Sequence, residues 1–80
     1  MDITGDEREF WRAMRALTID AEGHEVFVGL SPRESEEYLA LSRRNEAGED
    51  MNGVPAFDAL QKKHEAARQE IVDGRARLDG

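Results

Sequence analysis

Gly29-Leu30-Ser31-Pro32-Arg33-Glu34-Ser35-Glu36-Glu37-Tyr38-Leu39-Ala40-Leu41-Ser42-Arg43-Arg44-Asn45-Glu46-Ala47 carries the strongest helix signals in the chain. Ser31 and Glu34 have the spacing of a capping box, in which each side chain accepts a hydrogen bond from the other residue's amide. Pro32 occupies the first helical position, where a missing N–H costs nothing. Glu34, Glu36 and Glu37 crowd the positive end of the helix dipole, and Arg43 and Arg44 sit near its negative end. Gly48 is the expected stop. A helix over 31–47 follows, with Tyr38, Leu39 and Leu41 as a narrow apolar stripe and water on its other sides.

Downstream, Gly48 to Val54 reads as a loop with Asn52-Gly53 as its turn signal. Pro55 opens a second helix over 55–73. There Phe57, Leu60, His64, Ala67 and Ile71 recur at intervals of three and four, a heptad-like seam. Asp58 and Lys62 form an i,i+4 pair in the favourable order. The two helices are expected to pack as an antiparallel hairpin, with 74–80 as a frayed tail.

Upstream, Leu17-Thr18-Ile19 and His24-Glu25-Val26-Phe27-Val28 are β-prone runs flanking Asp20-Ala21-Glu22-Gly23, a type I turn signal. Residues 18–29 read as a hairpin or an extended connection. Alternation places His24, Val26, Val28 and Leu30 on one face and sends Phe27 outward. A two-stranded ribbon is marginal alone, so either the helices cover both of its faces or Phe27 and a free edge meet another subunit. Before it, residues 6–17 read as a helix capped by Asp6, with Phe10, Met14 and Leu17 on its inner face and Trp11 beside them. Arg8, Arg12 and Arg15 line another side and can pair with acids of this or another chain. Residues 1–5 read as a flexible leader. The whole is one small domain over 1–80: mainly α (α+β), an N-terminal helix, a short two-stranded β-hairpin, then an antiparallel two-helix hairpin.

Eighty residues with no cysteine bury only about 60–65% of the unfolded surface and have no disulfide to compensate. The formal charge is −7, from 18 acids and 11 bases. It is concentrated between residues 20 and 50, where Asp20, Glu22, Glu25, Glu34, Glu36, Glu37, Glu46, Glu49 and Asp50 outnumber Arg33, Arg43 and Arg44. Direct nucleic-acid binding needs a basic patch, and none is present. The sequence has no apolar run of membrane-spanning length and an acidic rather than signal-like start, so a cytoplasmic protein is expected.

Leu30-Ser31-Pro32-Arg33-Glu34-Ser35-Glu36 resembles the opening of the helix-turn-helix domain of LuxR-type transcription regulators. The resemblance implies a DNA-binding helix pair. It spans about seven residues and ends at Glu37 and Tyr38, where that family is typically aliphatic. No basic recognition helix follows Gly48, so the match reduces to the helix cap.

The residues contain no chemistry-bearing motif. His24 and His64 lack the neighbours of a metal site, and Asp20-Ala21-Glu22-Gly23 is too short for a calcium loop. Ser31, Ser35 and Ser42 have no nucleophile motif around them. The expectation is a non-catalytic protein–protein interaction module without cofactor, a small acidic accessory or regulatory protein that self-associates as a homodimer. Trp11, Phe27, Glu34, Glu36, Glu37 and His64 are its candidate partner-binding residues. The apolar ones would supply affinity and the acids would steer a basic protein partner. Two alternatives stay open: an acidic inhibitor, antitoxin or DNA mimic that occupies a basic nucleic-acid-binding protein, and a structural subunit of a larger assembly.

Overall fold

The computed structural model describes residues 1–74; the tail expected over 74–80 lies, from residue 75, outside the described residues. Five elements follow in order: α1 (Gly5–Ala13), β1 (Leu17–Ile19), β2 (Glu25–Phe27), α2 (Pro32–Glu46) and α3 (Pro55–Val72). This is the expected small α+β arrangement of a helix, a hairpin and two packed helices.

The local signals around α2 act as their chemistry dictates. Ser31 Oγ accepts from the Glu34 amide at 3.1 Å and Glu34 Oε1 accepts from the Ser31 amide at 2.9 Å, closing the capping box. Gly48, at φ 92°, follows the helix end at Ala47. A second capping box opens α1, and its cap is Thr4 rather than the expected Asp6. Thr4 Oγ1 accepts from the Glu7 amide at 3.1 Å, and Glu7 Oε1 accepts from the Thr4 amide at 3.0 Å.

Helix α1 is also shorter than the sequence reading of 6–17. It ends at Ala13 because Arg15 enters the left-handed region at φ 56°. The Arg15 amide bonds Arg12 O at 3.0 Å and the Ala16 amide bonds Trp11 O at 2.9 Å, the pattern of a Schellman termination. Ala16 and Leu17 are thereby released to the hairpin. Nor do residues 1–4 hang free as the leader reading has it: Ile3 is buried in the core, and Arg43 donates to Asp2 O at 2.9 Å.

The hairpin is antiparallel in the register Leu17↔Phe27, Thr18↔Val26, Ile19↔Glu25. Asp20 Oδ1 ties its turn by accepting from the amides of Glu22 at 2.9 Å and His24 at 2.8 Å, an Asx-type turn. Gly23 at φ 86° completes it.

Here the structure corrects the expected outward Phe27. Phe27 is 0% exposed and Val26 2%, so both faces of β2 are covered and strict alternation has no solvent side to report. Trp11, Tyr38 and His64 surround the Phe27 ring at centroid distances of 5.1, 5.1 and 5.5 Å, each edge-on, the orientation that aromatic quadrupoles prefer. The remaining core is Ile3, Ala16, Leu17, Leu30, Leu39, Leu41 and Leu60.

Helices α2 and α3 pack antiparallel. Glu34 near the start of α2 meets Lys63, and Tyr38 one turn later stacks at 5.8 Å on Phe57, near the start of α3. The α3 seam faces inward as read: Leu60 and His64 are buried, and Phe57, Ala67 and Ile71 are half-buried. Gly29 sets how closely α3 approaches the hairpin. Its φ is 82°, and a Cβ there would lie 2.5 Å from Ala67 Cβ, so only glycine fits.

Candidate interaction surface

The candidate residues divide sharply by burial. His64 is 1% exposed, and its Nδ1 lies 2.8 Å from Val28 O. A carbonyl oxygen can only accept, so Nδ1 carries a proton and donates it to Val28 O. Burial pushes the His64 imidazole below its ordinary value, outweighing the opposing pull of the Val28 hydrogen bond. His64 and Phe27 are therefore core residues and offer no surface to a partner. Ser35 is equally interior: its Oγ accepts from the Phe27 amide at 2.9 Å, anchoring α2 to β2.

Glu34 is half-buried and already engaged. Besides closing the cap of α2, it forms an ion pair with Lys63 at 2.9 Å that links α2 to α3. Its carboxyl is lowered below the ordinary value, first by the Ser31 amide and then by Lys63. Most acids of residues 20–50 are likewise committed within the chain. Glu25 accepts both Nε and Nη2 of Arg8. Glu49 pairs with Arg44 at 3.1 Å, and Asp50 accepts from the Asn52 amide at 3.0 Å. The expected pairing of the α1 arginines thus occurs inside this chain, through Arg8 and, at 3.9 Å, Arg12.

Apart from Asp50, the acids with no ion pair among the described residues are Asp2, Asp6, Glu9, Glu36, Glu37, Glu46 and Glu70, spread over all three helices and the N-terminal segment. Glu36, Glu37 and Glu46 are exposed on α2, Asp6 is exposed on α1, and none of them has an ion pair among the described residues. Asp6 and Glu46 border a groove of about 180 Å³ between α1 and α2. Trp11 and Leu39 form its apolar walls, and Phe10, 51% exposed, overhangs it. Met14, one turn on from Phe10, is 42% exposed.

The groove's single cation, Arg43, is already paired. It donates to both carboxylate oxygens of Glu7, at 2.6 and 2.9 Å, as well as to Asp2 O. This forked pair holds the Glu7 carboxyl at about 2, as charge-assisted bidentate bonds do. A second depression of about 170 Å³ shares Leu39 and Arg43 and carries Glu36 on its lip.

Reading the sequence places Phe10 and Met14 inside and Trp11 beside them; the structure reverses this. Helix α1 presents Trp11 to Phe27 and Tyr38, at 5.1 and 6.4 Å, and leaves Phe10 and Met14 in water. The apolar stripe of Phe10, Met14 and Leu17 needs a helix that runs to Leu17, whereas α1 ends at Ala13 and Leu17 belongs to β1.

A larger open depression, about 680 Å³, lies where the α2–α3 loop meets both helices. Its acids Glu49, Asp50 and Asp58 are all engaged by Arg44, the Asn52 amide and Lys62. Among the described residues no group of three or more His, Asp or Glu is placed to hold a metal ion, and no helix is long and apolar enough to cross a membrane. Comparison with protein-family models, with curated proteins and with solved structures finds no match for this chain.

Proposed function

We propose that this chain is a non-catalytic protein-binding module that recognises a basic protein partner through the exposed side of α1 and α2. One observation carries the reading. The aromatic side chain that α1 exposes, Phe10, lines a groove together with Asp6 and Glu46, carboxylates that have no ion pair among the described residues. Aromatic side chains supply most of the affinity in protein interfaces, and peripheral charges govern approach and partner choice. Phe10 takes the role that the sequence reading gave to Phe27, and Glu36 and Glu37 keep theirs as steering charges.

Self-association as a homodimer, in a cytoplasmic setting, is the competing use of the same exposed side chain, because a second copy seated on Phe10 would occupy the surface offered to the partner. The inhibitor or DNA-mimic reading draws less support. Phosphate mimicry needs an extended array of free acids, whereas Asp20, Glu25, Glu34, Glu49 and Asp50 are bound internally.

The test is affinity capture with the wild-type chain, Phe10→Ser and the double variant Glu36→Lys/Glu37→Lys at two salt concentrations. The reading requires that both variants lose the wild-type partner and that salt weakens its capture. A partner set unchanged in both variants overturns it. Competition by DNA would shift the assignment to the mimic.

A further inference from the structure

We infer that the groove between α1 and α2 is an anchor pocket for one apolar side chain carried on a lysine- or arginine-rich segment of the partner. The inference rests on the protein-binding reading above and adds the site and the chemistry of its occupant.

Size limits what the groove can hold. An enclosed apolar cavity of about 150 Å³ accommodates a benzene ring, and small-molecule sites run to about 300–1,000 Å³. At about 180 Å³ the groove takes a single leucine- or phenylalanine-sized group. Trp11 and Leu39 give that group apolar walls, and Phe10 can close over it, the geometry of an interface hot spot.

Charge selects what surrounds the anchor. The lining carries Asp6, Glu7 and Glu46 against Arg43, and Arg43 is consumed by Glu7. Among the described residues two carboxylates, Asp6 and Glu46, are therefore unpaired at the rim, and Glu36 lines the adjoining depression. An anchor flanked by acids would meet repulsion here, and one flanked by lysines or arginines would meet complementary charge. The same argument disfavours a second copy of this chain, which would bring the same carboxylates to the contact and a net charge of −7 with them.

Trp11 lines the groove and is the only tryptophan in the chain, so its fluorescence and its indole N–H resonance report occupancy directly. The probe is a short lysine-rich peptide with a single central leucine, titrated into the full chain beside the same peptide with alanine in place of leucine. The inference requires a saturable Trp11 response to the leucine peptide and at least about tenfold weaker binding of the alanine peptide, as expected for loss of a hot-spot side chain. Binding must also weaken severalfold in Asp6→Asn/Glu46→Gln, whose surface positions leave the core intact, and as salt is raised.

Equal binding of both peptides, with backbone shifts confined to Glu36 and Glu37, overturns the anchor pocket and leaves the acidic protein-binding surface standing. No binding of either peptide overturns both. A Trp11 response that tracks the protein's own concentration, with a falling sedimentation mass for Phe10→Ser, assigns the groove to a second copy and overturns the inference.

Discussion

Two backbone positions show how single residues set the geometry of this protein, with opposite consequences for mutation. Gly29 combines a left-handed φ of 82° with an approach to Ala67 that leaves no room for a Cβ. Gly29→Ala adds both a left-handed penalty of about 1–2 kcal/mol and an overpacking cost of about 1–3 kcal/mol. Urea unfolding should therefore show a loss of roughly 2–5 kcal/mol, a large share of the stability of a domain this small. Arg15 holds the same kind of conformation, at φ 56°, without glycine's freedom. Its amide bond to Arg12 O comes from the backbone, so Arg15→Gly keeps the Schellman turn and removes the strain. Set against glycine's greater loss of freedom on folding, the net gain is up to about 1 kcal/mol, read as a raised melting temperature.

At the scale of elements, the connections between helices and hairpin are few and polar as well as apolar. The Ser35 hydroxyl bridges α2 to the Phe27 amide in a fully buried setting. Ser35→Ala leaves that amide without an acceptor, and an unsatisfied buried donor costs about 1–3 kcal/mol. Ser31→Ala, by comparison, removes a solvent-exposed cap worth about 1 kcal/mol. The two substitutions lie on one helix and each removes one hydroxyl. Equilibrium unfolding should nevertheless show Ser35→Ala as at least as damaging, and amide exchange at Phe27 should accelerate only in that variant.

For the molecule as a whole, pH couples to stability through two groups of residues. The His64 imidazole is depressed from its ordinary 6.5 by burial, so the unfolded chain takes up a proton before the folded one does. Its contribution is complete above pH 6.5 and declines as pH falls toward the folded value. The carboxyls of Glu7, Glu25, Glu34 and Asp20 are all lowered, which gives a second decline below the ordinary carboxyl values of 4.5 and 3.8 and, for Glu7, down to about 2. A pH series of denaturation curves should show both phases. His64→Asn, which retains a donor near the position of Nδ1, should flatten the upper phase and leave the lower one in place.

The sequence by itself determined the elements whose signals are local. The Ser31–Glu34 box, Pro32 and Gly48 delimit α2 because capping depends on residues within a single turn. The seam from Phe57 to Ile71 faces the core because a spacing of three and four on a helix defines one side. Asp20 and Gly23 fix the hairpin turn for the same local reason. Tertiary structure decided what those elements bury. Trp11 rather than Phe10 turns inward, against Phe27 and Tyr38, residues that only the assembled fold brings beside α1. Phe27 is interior because α-helical residues cover the face that alternation assigned to water. The surface acids could be counted in the sequence, but which were free depended on contacts between residues distant along the chain, such as Arg8 with Glu25, Arg43 with Glu7 and Lys63 with Glu34. Burial and ion pairing are properties of the packed molecule, and the groove between α1 and α2 exists only once those helices are brought together.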